Sequence, residues 1–132
     1  MSTESFGVKQ SFAAAGDYSD KQYYLMYISA ANTVTICGAA GLVIGIMYGK
    51  PESGAYGDVL TASGVMAKVI TGAAVSAGDL LESDGSGKAI TLTYVSDGNT
   101  ETYSIGRAVT ESGGDGGIIT VLTGFCPAAK TV

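Results

Sequence analysis

The residues best placed to do chemistry lie in Val75–Ile90, VSAGDLLESDGSGKAI, where Asp79, Glu82, Asp84 and Lys88 fall close together among glycines. Gly85-Ser-Gly-Lys88 has the ending of a phosphate-binding loop. That motif also needs a glycine five residues ahead of its second glycine and a Ser or Thr after the lysine; those places hold Glu82 and Ala89. The strand-to-helix setting is missing too, so a plain turn accounts for the match. Asp79, Glu82 and Asp84, with Asp115 further on, have the chemistry of calcium ligands but not the EF-hand spacing or its closing Glu. Carboxylate-pair glycoside chemistry would have no Trp platform for a sugar. Histidine is absent, which removes Ser-His-Asp and Cys-His catalysis, histidine-held metals and histidine pH switches. The expectation is a protein that is not an enzyme and uses no metal or cofactor. Its purpose is a surface.

The elements that would position these residues read as strands. Ala77-Gly-Asp79 is a tight turn, Leu80-Leu81 starts a strand, Asp84–Gly87 turns again and Lys88–Ile90 returns. Sequence SIGRAV (residues 104–109) follows, after a hairpin predicted at Ser96-Asp-Gly-Asn99 between Thr91–Val95 and Thr100–Ile105. Upstream, Gln22–Tyr48 carries no charge and includes Gly41 and Gly45 in a G-x-x-x-G, so a membrane span has to be considered. Its continuous apolar core, Ile36–Met47, is only 12 residues, short of the ~20 that a spanning helix needs. Turns at Ala30–Thr33 and Gly38–Gly41 divide the window into strands near 22–29, 33–37 and 42–48. Asp58–Thr61, Gly64–Thr71 and Ile118–Phe125 complete the set. In Gly64–Thr71, Val65, Ala67 and Val69 face one way and Met66, Lys68 and Ile70 the other. Gly57-Asp-Val-Leu echoes Gly78-Asp-Leu-Leu, and Lys68-Val-Ile-Thr echoes Lys88-Ala-Ile-Thr, as hairpins of one barrel would. Ser112–Gly117 reads as a flexible turn.

No stretch sustains a helical stripe, so the fold class is all-β: a small Gly-rich β-barrel or sandwich with an extended N-terminal arm. The predicted divisions are 1–20 for the arm, 21–125 for a single β-domain and 126–132 for a C-terminal tail. Apolar residues make up 46% of the 132 and charged ones only 14%, against a usual ~25%. Such a chain packs a compact barrel and hides further apolar surface in an oligomer. Its net charge of −5, single arginine (Arg107) and scattered lysines argue against nucleic acid. The N-terminal MSTESFGVKQSF shows no signal-peptide pattern, so synthesis in the cytoplasm is expected. There Cys37 and Cys126 default to buried thiols.

Taken in order, Lys21-Gln-Tyr-Tyr, Asn32-Thr-Val-Thr-Ile-Cys, Ile44-Gly-Ile-Met, Lys50-Pro, Val75-Ser-Ala-Gly-Asp-Leu-Leu, Gly87-Lys-Ala, Ile105-Gly-Arg-Ala and Gly117-Ile-Ile-Thr-Val-Leu resemble the head decoration, or capsid cement, proteins of tailed bacteriophages. The resemblance covers roughly residues 17 to 124. It implies a virion protein on the capsid exterior, made in the host cytoplasm, that binds the major capsid protein, usually as a homotrimer. Such a protein stabilises the shell against internal DNA pressure and has neither catalytic residues, nucleic-acid partner nor membrane. Phe6, Phe12, Tyr18, Tyr23 and Tyr24 are the expected capsid or oligomer contacts. Loss of residues 1–16 is expected to weaken docking and leave the fold intact. A receptor- or carbohydrate-binding display module is the alternative from another class; a small hydrolase is disfavoured by the missing histidine.

Overall fold

Among the described residues the first strand starts at residue 9, inside the segment expected as an arm. The structure, a computed structural model, describes residues 9–38, 42–92, 101–125 and 129–130. Five strands, β1 (Lys9–Ala14), β2 (Leu25–Ala30), β3 (Thr33–Ile36), β4 (Gly45–Met47) and β5 (Tyr56–Leu60), close into a barrel in the order β1-β3-β2-β4-β5. A second, five-stranded sheet follows: β6 (Met66–Ile70), β7 (Leu80–Ser83), β8 (Ala89–Thr91), β10 (Gly106–Ala108) and β11 (Ile118–Thr123), ordered β6-β11-β10-β7-β8. Between β8 and β10 in sequence, β9 (Glu101–Thr102) pairs with β12 (Ala129–Lys130), which follows β11, as a two-stranded ribbon. Among the described residues there is no helix, and so none long and apolar enough to cross a membrane.

Strand β1 is held by backbone more than by side chains. It runs antiparallel to β5 from Lys9↔Leu60 to Ala13↔Tyr56, and parallel to β3 at Ala13↔Thr33 and Ala14↔Val34. Lys9, Gln10 and Ser11 are exposed while Phe12 is partly buried and Ala14 buried. Of the expected arm, therefore, residues 9–14 are a barrel strand; residues 1–8, with Phe6, lie outside the described residues. Deleting 1–16 would remove β1 and open the barrel, contrary to the expectation above. A truncation ending at residue 8 is expected to keep a cooperative urea transition, whereas one ending at residue 16 loses it. Circular dichroism during a urea titration checks both.

Why Gln22–Tyr48 is uncharged now has a structural answer. Ala14, Met26, Val34, Met47 and Val59, one from each barrel strand, form a buried cluster with Tyr18 and fill the barrel. Their sequence neighbours Leu25, Ile46 and Leu60 point out of it and pack with Val69, Leu81, Ile119 and Val121 of the second sheet. Strands buried on both faces lose the polar half of their alternation. Cys37 is buried in this second cluster; its pairing with Cys126 falls outside the described residues.

The two sheets meet through the Asp84–Lys88 turn. Asp84 Oδ1 accepts hydrogen bonds from the amides of Ser86 (2.7 Å) and Lys88 (2.9 Å), so the amides a phosphate would need are already engaged. The Gly87 carbonyl accepts from the Leu25 amide at 2.7 Å, tying the β7–β8 turn to the barrel. Asp79 Oδ2 likewise accepts from the Ser76 amide and the Thr91 hydroxyl. The proposed internal echo does not survive: Gly57 is inside strand β5, whereas Gly78 sits in a turn. Nor is Ser112–Gly117 loose. The fully buried Thr71 places its Oγ1 within 2.9–3.1 Å of Ser112 Oγ and the Gly114 and Gly117 carbonyls. A buried hydroxyl satisfied this way pins the loop to β6.

Candidate functional site

Edge strands are where a sheet offers itself to partners, and β6 is an edge of the second sheet. Its outward amides are capped from the barrel. The Lys68 amide donates to the Tyr48 hydroxyl at 2.6 Å, and the Ile70 amide to the Tyr23 carbonyl at 3.1 Å. Tyr23 does this from a left-handed conformation, φ 73°, unusual for a bulky side chain. The conformation lets its amide reach the Met47 carbonyl in β4 (2.6 Å) while its own carbonyl reaches β6. One residue's backbone thus spans barrel and sheet. Its ring packs edge-on to Tyr48, centroids 5.2 Å apart and planes at 83°, an arrangement favoured by the ring quadrupoles.

Around this seam large apolar side chains are exposed on the sheet face. Cross-strand pairs Met66/Leu122, Lys68/Thr120 and Ile70/Ile118 line the outer face of β6 and β11. Met66 is 62% exposed, Ile118 55% and Leu122 43%. Exposed large apolar side chains gathered on one face are informative in a way that isolated ones are not. An open groove of about 330 Å³ runs between Tyr23, Tyr48, Met66, Lys68 and Thr120. On the other side of Tyr23 a second depression, about 410 Å³, is bordered by Tyr24, Lys50, Ile70 and Ile118.

Lysines ring these grooves although they are scattered in sequence. Lys9 Nζ lies 5.0 Å from the Tyr48 ring centroid, Lys21 Nζ 5.1 Å from that of Tyr24, and Lys88 Nζ 6.0 Å from Tyr24 on another approach. Lys88 also donates to Asp115 Oδ1 at 2.9 Å. That bond holds the Lys88 ammonium above its ordinary 10.5, against an opposing effect of burial. A raised folded-state value means the stabilisation is complete below the unfolded-state pKa and disappears as pH rises through the higher folded-state one. The melting-temperature gap between the wild type and Asp115→Asn is therefore expected to be small, constant up to about pH 10, and closed above it. A calorimetric series in alkaline buffers checks this.

Of the expected contact residues, Tyr23 and Tyr24 come together at this face. Tyr18 instead is 9% exposed within the barrel cluster, and Phe12 packs partly buried against it. Their aromatic rings are used by the chain's own core. Phe6 lies outside the described residues. Tyr48, Met66 and Ile118 were not singled out from the sequence. The available signal was the second face of Gly64–Thr71, where Met66 and Ile70 stand on the side opposite the buried Ala67 and Val69.

A closed five-stranded barrel joined to a five-stranded sheet, with a turn and a tyrosine seam locking the two, defines an all-β fold. No protein-family model and no curated protein matches the chain. Among solved structures it is similar to the head fiber gp8.5 N base in bacteriophage phi29. The TM-score is 0.68 at 19% identity, covering 91% of this chain and 96% of that one. At that identity the likeness is one of fold.

Proposed function

We propose that this chain is a structural protein of a tailed-phage virion. It sits on the outside of the head as a homotrimer, binds the major capsid protein and braces the shell against the packaged DNA. The observation that carries this reading is the fold shared with the phi29 head fiber base over 91% of the chain. The ordered sequence resemblance to head decoration proteins supports it from a separate direction. Chemistry agrees: a histidine-free chain with 14% charged residues is better suited to burying faces in contacts than to turnover. A protein that binds only the assembled shell stabilises it by mass action, which is all that bracing requires.

The test mixes the purified chain with expanded, DNA-free heads assembled from the major capsid protein of the same genome. A trimer by light scattering that co-sediments with heads and raises their heat resistance is the expected result. A monomer that leaves the heads unchanged would overturn the proposal. Glycan binding by that monomer would move the assignment to a carbohydrate-binding display module.

A further inference from the structure

The chain carries a net charge of −5, yet five of its seven basic residues, Lys9, Lys21, Lys50, Lys68 and Lys88, stand around the tyrosine seam. Two have acidic neighbours: Lys88 bonds Asp115, and Lys21 lies 3.9 Å from Asp20. Among the described residues Lys9, Lys50 and Lys68 have no carboxylate within ion-pair distance. The face is therefore positive on an otherwise acidic molecule, and Lys68 stands between the apolar pairs Met66/Leu122 and Ile70/Ile118, where Met66 and Ile118 are more than half exposed. From this we infer that the seam docks an acidic protein surface that sets carboxylates against Lys50 and Lys68 and rests apolar side chains on Met66 and Ile118, to either side of Lys68. Resting on the virion reading, that surface belongs to the outside of the shell.

Interfaces divide labour in this way. Apolar and aromatic groups at the centre exclude water and supply most of the affinity. Charges at the rim steer the encounter and set orientation, at a strength that falls with ionic strength. A basic groove with tyrosines also matches the chemistry of single-stranded nucleic acid, which stacks bases on aromatic rings. Here those rings are taken. Lys9 stands over Tyr48, Lys21 and Lys88 flank Tyr24, and Tyr23 is packed edge-on to Tyr48. A base would have to displace a lysine before it could stack, whereas a carboxylate would gain by approaching it.

The experiment measures binding of the full chain to the expanded, DNA-free heads, for the wild type, Lys50→Glu/Lys68→Glu and Met66→Ser. Lys50, Lys68 and Met66 are exposed, so the fold should tolerate all three changes. The double charge reversal is expected to raise the dissociation constant tenfold or more, roughly the weight of two lost surface pairs. Met66→Ser should weaken binding at every salt concentration. Wild-type affinity should fall between about 0.05 and about 0.5 M salt, and oligonucleotide competitors should leave it unchanged. Wild-type binding that is indifferent to salt and to these substitutions would sink the inference and leave the virion reading standing. Competition by single-stranded DNA would overturn it in favour of a nucleic-acid site. Failure of the wild type to bind heads at all would overturn both.

Discussion

Replacing Gly106 by alanine is expected to abolish the second sheet, lowering stability by on the order of 4 kcal/mol or more. Gly106 opens β10, the strand between β11 and β7, opposite Thr123 on one side and Leu81 on the other. Its φ of +134° is open only to glycine. A methyl group there would overlap the Leu122 carbonyl oxygen and come within 3.0 Å of the Gly124 amide nitrogen. Both are backbone atoms, so no rotamer change relieves the clash. Strand β10 would have to leave β11, breaking the ladder from Gly106↔Thr123 to Ala108↔Val121 and uncovering the fully buried Ile105. Gly113 is the control: an added methyl meets no heavy atom within 4 Å, and its φ is not in the positive range. Gly113→Ala should therefore stay within about 0.5 kcal/mol of the wild type. Urea unfolding followed by tyrosine fluorescence separates the two. A Gly106→Ala protein with the wild-type midpoint would mean that β10 is not seated as described.

How much of this was legible beforehand follows from what each element depends on. Strands β2, β3, β4, β6 and β11 announce themselves through β-branched and aromatic residues, and β7 and β10 through the glycine and Asp turns near them; each falls inside or beside a predicted segment. The faces of β6 could be read as well, because alternation is a local property. Strand β1 could not. KQSFAA has one strong strand former, and its stability comes from two neighbouring backbones that lie twenty and more residues away. Strand β12 is hidden for the same reason, being two residues paired with β9. The docking face depended on both kinds of information. Tyr23 and Tyr24 drew attention as part of a tyrosine cluster, but residue type alone could not separate them from Tyr18, which the barrel buries. Lysines at 9, 21, 50, 68 and 88 look scattered because the chain passes the seam on several different elements. Only the pairing of strands brings them round one face.

The second large effect tests whether the molecule has two cores or one. Ile46 and Met47 are sequence neighbours in β4, both fully buried, and they point to opposite sides. Ile46 lies between Leu25 and Leu60 in the register and joins the cluster shared with the second sheet; Met47 pairs with Val59 inside the barrel. Were one face of β4 solvated, truncating the residue on it would cost little. Because both faces are packed, Ile46→Ala and Met47→Ala are each expected to cost about 2–5 kcal/mol, the range for deleting buried methylenes and leaving a cavity. Gentler changes then show which core each residue serves. Ile46→Val combined with Val69→Ala should depart from additivity by roughly 0.5 kcal/mol or more, since both sit in the inter-sheet cluster. Met47→Leu with Val69→Ala should add within about 0.5 kcal/mol, because the β4 backbone separates their clusters. The two cycles also bear on docking. The seam of Tyr23 and Tyr48 packs against the inter-sheet cluster, so loosening that core should disturb the face proposed to dock, while an equal loss inside the barrel should not. Equal coupling in both cycles would show a single continuous core and remove the reason for expecting that difference.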